Sequence, residues 1–116
     1  MWRNWVWIIW EVKYLPEALD DLDELDGSQR KLVLKSIEKV RKNPLSQQEG
    51  GYGKLLGKRG NTDLTGFMKI KLRASGLKLV YKVIKHEDVM LIVVIGARED
   101  EEAYSIAEKR IKKNSL

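Results

Sequence analysis

Cationic side chains recur at alternate positions in one short stretch of this chain: Lys69, Lys71 and Arg73, then Lys78 and Lys82 beyond a turn at Ala74-Ser75-Gly76. Met68, Ile70 and Leu72 fall between the first three. The two-residue period of a strand therefore sends apolar groups to one face and cations to the other. A four-residue connection that sets Arg73 opposite Lys78 also places Lys82 with them. A slip of one residue buries Lys78 and Lys82 among apolar side chains. The spacing predicts five cations on one open face of a β-hairpin.

Like charges facing each other on a sheet cost about 0.2–1 kcal/mol per pair, so this arrangement suits a site that receives an anion. Neighbouring cations disfavour one another's protonation, which prepares a lysine within the cluster to act as a base; Lys71, near its middle, is the candidate. The same groups can stabilise the extra negative charge of a pentacoordinate phosphate, which makes phosphodiester cleavage possible without a metal. The plainer alternative is a basic, solvated sheet face.

The charge distribution supports a polyanionic partner. The net charge is +5, but residues 52–85 hold nine basic side chains against Asp63 alone, whereas residues 1–27 hold two basic and seven acidic ones. Phosphate neutralisation by such a concentration gives affinity independent of sequence. Lys54, Lys58 and Arg59, in a glycine-rich stretch before the hairpin, can grip a phosphate backbone too.

Other chemistries find little support. The chain has no cysteine, which removes thiol nucleophiles, disulfides and thiolate zinc sites and fits the cytosol. His86 is the only histidine and sits in the polar run Lys85-His86-Glu87-Asp88, as a surface turn residue does. Asp20, Asp21, Asp23 and Glu24 read as the solvated face of a helix, not a metal site. Gly51, Gly53 and Gly57 miss the spacing of a dinucleotide-binding loop, and Gly57-Lys58 lacks the rest of a Walker A motif; the stretch reads as a flexible loop. Trp2, Trp5, Trp7 and Trp10 read as core or interface packing. The apolar run from Trp5 to Trp10 is too short to cross a bilayer. No cofactor is expected.

These residues are positioned by a predicted α+β domain spanning residues 1–116, with a single antiparallel-dominated sheet, an N-terminal helical hairpin and a C-terminal helix. A first strand over residues 6–14 leads through Pro16 into a helix with Ala18, Leu22 and Leu25 at helical spacing. Ser28 is the expected cap of a second helix, with the stripe Val33, Ile37 and Val40, closed by Asn43-Pro44. A short strand is expected near Leu55 and Leu56. The two hairpin strands and an apolar strand over residues 89–95 follow. Asp100 is the expected cap of a last helix bearing Tyr104, Ala107 and Ile111.

The run Lys69-Ile70-Lys71-Leu72-Arg73-Ala74-Ser75-Gly76-Leu77-Lys78-Leu79-Val80-Tyr81 resembles the KIKLRxSGxRLVY signature of RelE toxins. The tail from Ile95 through Arg98 and Tyr104 to Ile111 resembles their closing strand and helix. The resemblance implies a toxin of a type II toxin–antitoxin system, an endoribonuclease that cuts mRNA on the ribosome by attack of a ribose 2′-hydroxyl on the adjacent phosphate. It makes Lys69 and Lys71 catalytic, with Lys71 the base, Arg98 the transition-state stabiliser and Tyr104 the group that stacks on or orients the nucleotide. Arg73, Lys78 and Lys82 would bind RNA backbone. Lys78 stands where the family carries arginine; it keeps the charge and loses the bidentate fork. An antitoxin that wraps the basic surface is implied, acidic or amphipathic in character. The alternatives are a ParE-like gyrase inhibitor of the same fold and a non-catalytic RNA-binding domain.

Overall fold

Pro16 has no N–H to leave unpaired and its fixed φ suits a first helical turn, so helix α1 (Pro16–Glu24) begins there. It buries Ala18 and ends where Leu25 turns extended. The computed structural model describes residues 9–59, 62–72 and 75–116, without the side chains of Arg59 and Thr62. Helix α2 (Gly27–Val40) is capped by Asp26, whose carboxylate accepts the Gln29 N–H at 2.8 Å, and not by Ser28 as expected. Ser28 Oγ instead donates to that carboxylate, which leaves Asp26 the acceptor nearest the free N–H groups of the first turn. Val33, Ile37 and Val40 are the buried stripe of α2, as their spacing predicts.

Among the described residues, five strands form one sheet in the order β1-β5-β4-β3-β2. They are β1 (Glu11–Tyr14), β2 (Lys54–Arg59), β3 (Thr62–Leu72), β4 (Leu77–Ile84) and β5 (Val89–Ala97). β1 runs parallel to β5 and every other pairing is antiparallel. The expected α+β class, with its helical hairpin and closing helix α3 (Asp100–Lys113), is the observed one. The first strand starts later than predicted, at Glu11, with Ile9 and Trp10 before it, and residues 6–8 lie outside the described residues.

Two strands are longer than composition suggested. β3 begins at Thr62 because Leu64 is buried between exposed Asp63 and Thr65, a strand alternation hidden among polar residues and glycines. β5 continues through Gly96, whose φ of +97° accommodates a bulge opposite Lys78 and Leu79. Helix α3 is preceded by Glu99 and has no side-chain cap; the expected cap, Asp100, lies inside the first turn.

The core joins the α2 stripe to Leu64, Leu79, Val80, Tyr81, Met90, Ile92 and Val93 on the sheet and to Ala103 and Ala107 of α3. Asp21 departs from the expected solvated acidic face. Its carboxylate accepts the Ile95 N–H at 2.9 Å and both terminal nitrogens of Arg110 at 2.6 and 2.9 Å, joining α1, β5 and α3. Among the described residues no helix is long and apolar enough to cross a membrane.

Candidate active site

Register at the hairpin decides which lysines meet. The turn closes on Leu72, whose carbonyl accepts the N–H groups of Ser75 and Gly76 at 3.2 and 2.8 Å. The pairs are therefore Leu72 with Leu77 and Lys71 with Lys78. This register lies two residues from one that sets Arg73 opposite Lys78, and a shift of two preserves the faces while moving every partner along the strand. Arg73 lies outside the described residues.

β2 adds a further cation, because its first residue, Lys54, pairs with Lys69. Lys54, Lys69, Lys71 and Lys78 line one cleft of about 450 Å³, together with Gln47, Tyr52, Ile70 and Asp100. β2 starts at Lys54, so residues 70–72 have no β2 partner and the cleft opens beside that strand edge.

The four described cations, Lys69, Lys71, Lys78 and Lys82, do not form the open face expected of them. The first turn of α3 closes over it and brings in Asp100, whose Oδ1 lies 2.9 Å from Lys69 Nζ and 3.8 Å from Lys78 Nζ. Lys69 Nζ also donates to the Tyr104 hydroxyl at 3.1 Å, and Lys78 Nζ donates to the Arg98 carbonyl at 3.0 Å. A carboxylate beside the two ammonium groups offsets the like-charge repulsion between paired strands. Lys82 is elsewhere: it pairs with Phe67, its Nζ 5.4 Å from that ring, four residues or about 13 Å along β4 from Lys78.

The electrostatics separate Lys69 from Lys71. Burial pulls the Lys69 ammonium toward neutrality, but the Tyr104 hydroxyl and the Asp100 carboxylate outweigh it, and its pKa is raised above the ordinary lysine value. Lys69 is therefore held as a cation, the state suited to stabilising charge. Lys71 is exposed at the mouth of the cleft.

Arg98 is adjacent to this cleft but does not line it. Its guanidinium donates to the Ser75 carbonyl at 3.2 Å, tying β5 to the hairpin turn, and its backbone N–H donates to Glu102 at 3.0 Å. Tyr104 is only 5% exposed, packed beneath Lys69, so stacking on a nucleotide requires α3 to move. Lys58 pairs with Asp63 at the far end of the long β2–β3 hairpin, six residues or about 20 Å along β3 from Lys69. The Arg59 side chain lies outside the described residues.

Sequence reasoning overlooked Asp100 as part of the site, because nothing local to it announces a lysine partner. It also overlooked Tyr52 and Gln47. The flanking glycines Gly51 and Gly53 were the available signal, although they read as slack. They are the reverse of slack: a Cβ on Gly51 would collide with the Leu45 carbonyl, and one on Gly53 with the Tyr81 hydroxyl and Met68. The loop over residues 43–53 is held by backbone hydrogen bonds, including Gln47 N–H to Gly53 O at 2.8 Å and Gly53 N–H to Leu45 O at 3.0 Å.

No family model matches the chain. It is 37% identical over 94 residues to the mRNA interferase toxin RelE of Escherichia coli (strain K12), covering 81% of this chain and 88% of the relative. A solved structure of a mutant of Escherichia coli toxin RelE in the free state matches with a TM-score of 0.66 and 31% identity, covering 89% of this chain and 98% of that one. The mutant toxin in complex with a peptide of the antitoxin RelBc matches with a TM-score of 0.61 and 28% identity, over 85% and 94% of the two chains.

Proposed function

Because the chain belongs to the RelE family of toxins, we propose that it is the toxin of a type II toxin–antitoxin pair and an endoribonuclease that cuts mRNA on the ribosome. The observation that carries this reading is the convergence of Lys54, Lys69, Lys71 and Lys78 on one cleft. An RNA strand laid along the open edge of β3 brings a phosphate among these four cations.

Lys71, exposed at the mouth, acts in its neutral amine form and takes the proton from the ribose 2′-hydroxyl as that oxygen attacks the adjacent phosphorus, becoming an ammonium group. Lys69, held protonated by Tyr104 and Asp100, faces the charge that develops on the non-bridging oxygens. The bond from phosphorus to the 5′-oxygen of the next nucleotide breaks. The products are a 2′,3′-cyclic phosphate and a 5′-hydroxyl end, and the 5′-oxygen takes up a proton. Lys54 and Lys78 hold the phosphate in place. Arg98 joins them when its guanidinium exchanges the Ser75 carbonyl for phosphate oxygen. The charge stabilisation that a metal supplies elsewhere is provided here by ammonium groups, so no step requires one.

The site also fits an antitoxin whose acidic or amphipathic segment covers the lysine cleft, and action in the cytoplasm, where mRNA is translated. The test is cleavage of mRNA on programmed ribosomes. Lys71→Ala and Arg98→Ala are each expected to lower the single-turnover rate by about 100-fold or more, as loss of a general base or of a transition-state donor does. Lys112→Gln, at the end of α3 away from the cleft, is expected to stay within about threefold of wild type, as an exposed, screened charge does. Cleavage unaffected by Lys71→Ala and Arg98→Ala removes the mechanism.

A further inference from the structure

Tyr52 is a large aromatic side chain left 45% exposed at the edge of a cationic cleft. The fold goes to some length to keep it there. Its backbone N–H donates to the Asn43 carbonyl at 3.2 Å, and on either side stand the two glycines whose close approach to Leu45, Tyr81 and Met68 admits no Cβ. The buried Tyr81 hydroxyl fixes the same loop from below, donating to the Pro44 carbonyl at 2.7 Å. Lys39 Nζ lies 5.3 Å from the Tyr52 ring centroid, adding a cation to the ring's surroundings. Fixing the backbone of the loop in advance spares part of the ordering cost when something packs on the ring.

We propose that Tyr52 is the platform on which a nucleobase next to the scissile phosphate stacks. The inference rests on the RNA-cleaving reading above and adds to it the residue that grips the base. Holding single-stranded RNA by its phosphate at Lys54, Lys69 and Lys71 leaves the neighbouring bases free to unstack from one another. An unstacked base in single-stranded RNA takes an aromatic side chain as its partner, whatever its identity. Tyr104, the other aromatic residue at the lysine cluster, is buried against Lys69, so the accessible ring is that of Tyr52. Gln47, which lines the same cleft, offers an amide donor and acceptor toward the edge of a base stacked there.

The experiment pairs a protein change with an RNA change. Single-turnover cleavage on programmed ribosomes is measured for wild type, Tyr52→Phe and Tyr52→Ala, each on intact mRNA and on mRNA carrying one abasic nucleotide beside the cleavage position. Stacking by one base is worth about 1–3 kcal/mol, so Tyr52→Ala is expected to slow cleavage or weaken half-saturation about 5- to 150-fold, and Tyr52→Phe less than threefold. The abasic position is expected to slow wild type by a similar factor and to leave Tyr52→Ala unchanged, a non-additivity that a misfolded loop does not produce. Equal losses in both proteins, or a fully active Tyr52→Ala, overturn the proposal while the lysine mechanism stands. A wild type that cuts no mRNA overturns the parent reading, and this one with it.

Discussion

The carboxylate of Asp100 sits 2.9 Å from the ammonium of Lys69, across a gap of 31 residues between the first turn of α3 and the middle of β3. It places one negative charge inside a cleft whose other charged lining residues are lysines, and with the Tyr104 hydroxyl it holds Lys69 protonated. Any phosphate that enters competes with it.

Removing that charge is expected to strengthen RNA binding. Asp100→Asn leaves Lys69 and Lys78 uncompensated, so the plot of log affinity against log salt for a single-stranded RNA steepens by about 0.7, the value of one further counterion released. The variant loses about 0.3–1 kcal/mol of stability, because an acid in the first turn of a helix interacts favourably with its dipole. Titration of a labelled oligoribonucleotide at several salt concentrations checks this, and an unchanged slope rules it out.

Arg110 and Asp21 form a two-pronged ion pair 89 residues apart in sequence, with side chains 17% and 16% exposed. Arg110 Nη1 also donates to the Val93 carbonyl at 2.9 Å. Arg110→Ala strands a largely desolvated carboxylate and is expected to cost about 2–4 kcal/mol, read from the urea midpoint. A loss below 0.5 kcal/mol would mean that the pair contributes no more than an exposed one.

Tyr81 links stability to alkaline pH. Burial raises the pKa of its hydroxyl well above the ordinary 10.0. The folded state therefore keeps a proton that the unfolded chain releases, and this stabilisation is complete below pH 10.0 and is lost as pH rises above it. Lys69, also raised, acts in the same direction above its ordinary 10.5. Tyr81→Phe orphans the Pro44 carbonyl and is expected to cost about 1–2 kcal/mol near neutrality. The gap between variant and wild type narrows on going to pH 11. Urea unfolding at pH 7, 9 and 11 measures it, and a constant gap contradicts the assignment.

Much of this molecule follows from local rules that its sequence states openly. Pro16 starts α1, the 3.6-residue recurrence of Val33, Ile37 and Val40 buries one face of α2, and the alternation of Met68, Ile70 and Leu72 with Lys69 and Lys71 makes β3 a strand with a basic side. Backbone sterics and the burial of apolar groups act over a few residues, so they leave a periodic trace. The cationic half of the candidate site was legible for that reason. Its other half was decided by packing at long range. Asp100 reaches Lys69 only because α3 folds back over the sheet; Asp21 leaves the solvated face of its helix only because Arg110 arrives beside it. Tyr52 is held at the cleft only because two glycines let the chain press against Leu45 and Tyr81. The partners Gly53 and Tyr81, Asp100 and Lys69, and Asp21 and Arg110 lie 28 to 89 residues apart and leave no spacing to read; the tertiary structure alone supplies them.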